Sequence, residues 1–147
     1  MRRGRALAVS ATALLALAVT GVTGCTEESQ QAAEDIVASA TAAAASAAQE
    51  KMNQVKDGVN ATGDVKAGPT AVDGDRTTAE LTATNPLDKN ADYTVLVNFR
   101  DDGGNLLDVV VVNIDGVEPG KSKTGTARSN RTLSGETTAE VQQALRH

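Results

Sequence analysis

Ala91-Asp92-Tyr93-Thr94-Val95-Leu96-Val97-Asn98-Phe99-Arg100-Asp101 runs through Asp102-Gly103-Gly104-Asn105 into Leu106-Leu107-Asp108-Val109-Val110-Val111-Val112-Asn113-Ile114. The first segment has a period of two. Tyr93, Val95, Val97 and Phe99 share one face, and Thr94, Leu96, Asn98 and Arg100 share the other, which predicts a strand. The glycines permit the positive φ of a hairpin turn. The second segment is the return strand. Its four valines, Val109 to Val112, make both faces apolar. Either the opposing sheet covers one side and a loop or helix the other, or one face is a contact patch rimmed by Asp108, Asp115 and Glu118. Such a patch suits a partner with an apolar centre and a basic rim.

Working outward, Thr78 to Thr84 alternates as well, and Asn85-Pro86 ends it. Asp64 to Val72 reads as a strand interrupted by Gly68-Pro69, which places it at a sheet edge. Pro119-Gly120 marks a turn before a polar strand over Ser122 to Arg128. Glu136 to Arg146 reads as a strand or a short helix, and periodicity leaves both open. Five to seven short strands with turn signals between them predict a mainly β fold, a small antiparallel sandwich over residues 60–147. The chain has no Trp, one Tyr (Tyr93) and one Phe (Phe99), so Val, Leu, Ile and Ala build the core. The single cysteine leaves no disulfide within the chain.

Residues 25–59 have a different character. Glu27 to Asp57 is rich in Ala, Glu, Gln and Ser and lacks Gly and Pro, which predicts a helix stopped by Gly58. Ile36, Ala40, Ala44, Ala48, Met52, Val55 and Val59 draw a thin apolar stripe. A solvated helical stalk reaching about 45 Å is the expectation. A helix docked on a partner or on the chain itself, and a flexible linker, are the alternatives.

Residues 1–24 have the layout of a secretory signal: Arg2, Arg3 and Arg5, an apolar run from Ala6 to Val19, then small residues. Val22-Thr23-Gly24-Cys25 resembles the lipobox of bacterial lipoproteins. That resemblance implies cleavage before Cys25 and a lipid on its thiol, so the chain is expected to sit, lipid-anchored, on the extracytoplasmic face of the cell membrane. Val97-Asn98-Phe99-Arg100-Asp101, a glycine turn, Leu106-Leu107 and Pro119-Gly120-Lys121 resemble the FxLyD group of immunoglobulin-like bacterial domains. Asp101 matches that motif, whereas Val97, Phe99 and Arg100 stand where it has an aromatic, a leucine and a tyrosine. The resemblance implies an immunoglobulin-like fold and no defined activity.

Of the 14 Lys and Arg, three lie in the first 24 residues, and none of the 19 Asp and Glu does. The remainder carries 11 against 19, a charge of −8, which argues against nucleic acid as a partner. No catalytic residue, metal site or cofactor is expected. His147 is the sole histidine and ends the chain, where fraying is common. Asp88-Lys89-Asn90-Ala91-Asp92 opens like an EF-hand loop but has Tyr93 and Phe99 where glycine and glutamate are needed. Asp101 and Asp102 read as turn residues. The expected function is a non-catalytic binding module with an unknown protein or envelope partner; the alternative is a purely structural envelope spacer.

Overall fold

The computed structural model describes the backbone of residues 27–147 and the side chains of residues 37–147; the lipobox and Cys25 lie outside them. Helix α1 spans Glu27–Asn53, followed by β1 (Val59–Asn60), a 3₁₀ turn at Thr62–Asp64, β2 (Val65–Asp73), β3 (Arg76–Thr84), β4 (Ala91–Asp101), β5 (Leu106–Val117), β6 (Ser122–Arg128) and β7 (Thr137–Arg146). The strands form two antiparallel sheets, ordered β1-β7-β4-β5 and β2-β3-β6. The fold is mainly β, a sandwich preceded by an alanine-rich helix.

The core lies between the sheets. Tyr93, Val95, Val97 and Phe99 are all fully buried there with Leu81, Ala83 and Ala127, and Val110 packs in the same cluster. This is the face that the alternation of β4 assigns inward. β4 is central, flanked by β7 and β5. β2 lies at a sheet edge, as Pro69 requires, and its register with β3 slips between Ala67 and Thr70, around Gly68-Pro69. The segment after Gly135 is a strand, because its register along β4 from Thr137 to Arg146 satisfies its backbone.

The helix departs from the expected stalk. Ala48 and Met52 are buried with Leu96 and Val109 in a second apolar cluster, which Ala45, Leu106, Val111 and Leu145 border. That cluster is the outer face of β4, β5 and β7. The alanine-rich stripe is what lets the helix come close. The earliest described contact between α1 and the sandwich is at Val37, whose carbonyl accepts from the Arg131 guanidinium at 3.4 Å. Only the ten residues from Glu27 to Ile36, about 15 Å of helix, precede it. α1 ends at Asn53, before Gly58, and the left-handed position is Asp57, at φ 57°.

Candidate binding groove

β5 is the outermost strand of its sheet, so one of its edges faces away from β4. The loop after β6 caps the start of that edge. Arg131 donates through Nη2 to the Leu107 carbonyl and to Thr41 Oγ1, and Thr41 Oγ1 also donates to Leu107 O at 3.1 Å. Asn130 donates from Nδ2 to Val109 O at 3.0 Å. Asp108, which is 1 % exposed, accepts from the Asn130 backbone N–H at 2.6 Å and from the Val109 N–H at 2.9 Å. One arginine and one aspartate thus join three elements far apart in sequence. Neither signal is visible in the chain, since no local pattern pairs Arg131 with Thr41.

Beyond this cap the edge opens into a groove of about 410 Å³. Ala44, Ala47 and Ala48 of α1 form one wall, Val109 to Val112 the floor, and Thr126 of β6 the other wall, with Lys51 and Arg128 at its lips. The four valines are therefore brought together at one site, but not as an open patch. Val109 is 3 % and Val110 7 % exposed; Val111 and Val112 are half-buried. Val110 and Val112 pack into the core between the sheets, and Val109 and Val111 lie under α1. Of the two readings of the four valines, the covered one describes the structure: the opposing sheet lies over one face and α1 over the other. Of the three acids expected at a rim, Asp108 is buried against Asn130, Glu118 pairs with Lys121, and neither Glu118 nor Asp115 lines the groove, whose charged side chains are Lys51 and Arg128.

The other sequence candidates have structural roles. The Asp92 carboxylate accepts from the Gly116 N–H at 2.6 Å, where Gly116 adopts φ 65°. Asn85, fully buried, donates to the carbonyls of Lys89 and Val117 and accepts from the Leu87 N–H, folding the Asp88 loop back on itself. Asp101 accepts from Asn105 N at 2.8 Å and Nδ2 at 3.0 Å, and these bonds hold its carboxyl below the usual range. His147 does not fray: its N–H and C=O pair with Asp92, extending the β7–β4 ladder. Tyr93 Oη donates to Asp64 Oδ2, which also accepts from Arg146 at 2.7 Å. Burial pushes the Tyr93 phenol up.

Among the described residues, no three His, Cys, Asp or Glu side chains gather as metal ligands, and no helix is long and apolar enough to cross a membrane. No protein-family model matches the chain, and neither a curated protein nor a solved structure matches it.

Proposed function

We propose that this chain is a lipid-anchored protein of the extracytoplasmic membrane face, whose sandwich binds a protein or envelope partner, without catalysis, at the α1–β5 groove. The single observation that carries the binding role is the groove itself, an apolar-floored opening at an uncovered strand edge between two cationic side chains. The lipobox resemblance of Val22-Thr23-Gly24-Cys25 supports the anchor, since two acyl chains hold a protein to a membrane stably. The docked helix weighs against the spacer alternative, because it spends most of the expected stalk on the sandwich.

Two arms test this. Cys25→Ala should abolish acyl labelling and leave the precursor uncut; a variant processed and membrane-bound like the wild type refutes the anchor. A photo-crosslinking residue at Thr126, in the groove, should capture a partner in intact cells that one at Val72, exposed on β2, does not. Equal capture at both positions, or none at either, refutes the groove as the binding surface.

A further inference from the structure

We infer that the groove takes an extended peptide segment, apolar in its middle and acidic at its ends, which adds to β5 as a further strand. This rests on the reading of the groove as the binding surface and names what it binds.

In an antiparallel ladder alternate residues turn their N–H and C=O to opposite sides. The carbonyls of Leu107 and Val109 point away from β4, because Arg131 and Asn130 bind them there. The same alternation turns the backbone groups of Val111 and Asn113 outward. The partner side of β4 gives the same answer. Ala144 bonds outward to Ala61 and Thr62, so Val95 opposite it bonds towards β5, and Leu96 and Thr94 bond towards β7. Val111 and Asn113 sit opposite Leu96 and Thr94, and their own groups therefore face out.

The open stretch has definite ends. Asn130 closes it at Val109, and Lys123, donating to the Asp115 carbonyl at 2.6 Å, closes it beyond Asn113. Residues 110–114 span about 17 Å, room for a strand of about five residues. The wall above is alanine, small enough for a second backbone to approach. The floor is valine, so side chains in the middle of the segment meet apolar surface.

Charge selects the occupant. Lys51 and Arg128 stand at the lips, and Arg128, though it also pairs with Asp73, remains half exposed. Two carboxylates placed to meet them complement the groove. A second copy of this chain pairing β5 with β5 would instead bring each cationic lip towards its like, so that occupant is disfavoured.

The test uses the full chain in detergent micelles and a displayed library of random peptides about seven residues long. Enriched peptides should alternate, carry Asp or Glu near both ends, and slow amide exchange at Val111 and Asn113. Asn113→Pro removes an outward N–H without breaking the β4–β5 ladder, and Lys51→Glu reverses one lip without touching the strand. Each should weaken binding about tenfold, as loss of one charge-assisted or backbone hydrogen bond does, at an unchanged melting temperature. Enriched peptides without acidic residues, binding indifferent to both variants, no enrichment at all, or self-association lost in Asn113→Pro would each overturn the inference. If the Thr126 crosslink in cells nevertheless persists in both variants, the groove still binds, but not by strand addition. If that crosslink never forms, the binding reading itself has failed.

Discussion

Phe99 and Arg100 are neighbours with opposite environments. Phe99 is fully buried between the sheets, while Arg100 reaches out to Glu140 at 3.0 Å and to the Gly104 carbonyl. Phe99→Ala should cost about 3–5 kcal/mol in chemical denaturation, and Arg100→Ala under about 1 kcal/mol, since exposed ion pairs contribute little. Gly125 offers a different test. A Cβ there would come 2.8 Å from Ile114 Cγ1, so β6 approaches β5 through the absence of a side chain. Gly125→Ala should destabilise by about 1–3 kcal/mol. Tyr93 gives the pH dependence. Its folded pKa is raised, so the neutral phenol is the form the fold favours. That contribution is complete below the unfolded value of about 10 and is lost as pH rises through the folded one. Stability should fall on the alkaline side, and Tyr93→Phe should flatten the fall. As the only tyrosine, Tyr93 can be followed directly by tyrosinate absorbance. Residues of this kind divide sharply in legibility. The inward face of β4 follows from alternation alone. The roles of Asp108, Asn85 and Arg131 do not, because each is defined by hydrogen bonds to partners brought near only by the fold.

Among the elements, β4 was the most legible, its span and inward face both following from period two. β7 was ambiguous because Val141-Gln142-Gln143-Ala144-Leu145 suits either period, and pairing with β4 decided it. The valines of β5 show in the sequence that both faces are apolar, but what covers the outer one depends on α1, an element more than fifty residues upstream. The helix itself was legible as a helix and illegible as a docked one. A stripe made mostly of alanine carries too little apolar area to announce a contact, although small residues are what close approach needs. Substitution separates the two faces of β5. Val110→Lys puts a charge between the sheets and should unfold the domain. Val111→Lys puts it under the helix and should detach α1 while the sandwich melts cooperatively. Arg131→Ala should loosen the same contact from the polar side.

At the scale of the whole molecule, the helix, the groove and the proposed anchor depend on one another. A lipid on Cys25 followed by a free stalk would hold the sandwich well away from the membrane. A docked helix leaves about 15 Å of helix before the first described contact and makes α1 one wall of the groove. The groove therefore requires α1 to be part of the domain. Native-state amide hydrogen exchange measures this most directly. The amides of Ala44 to Met52 should open only with the whole domain, at the same free energy as those of Tyr93 to Phe99 in β4. If they exchange instead at the rate of an isolated alanine-rich helix while β4 stays protected, α1 is a free stalk and the groove does not exist.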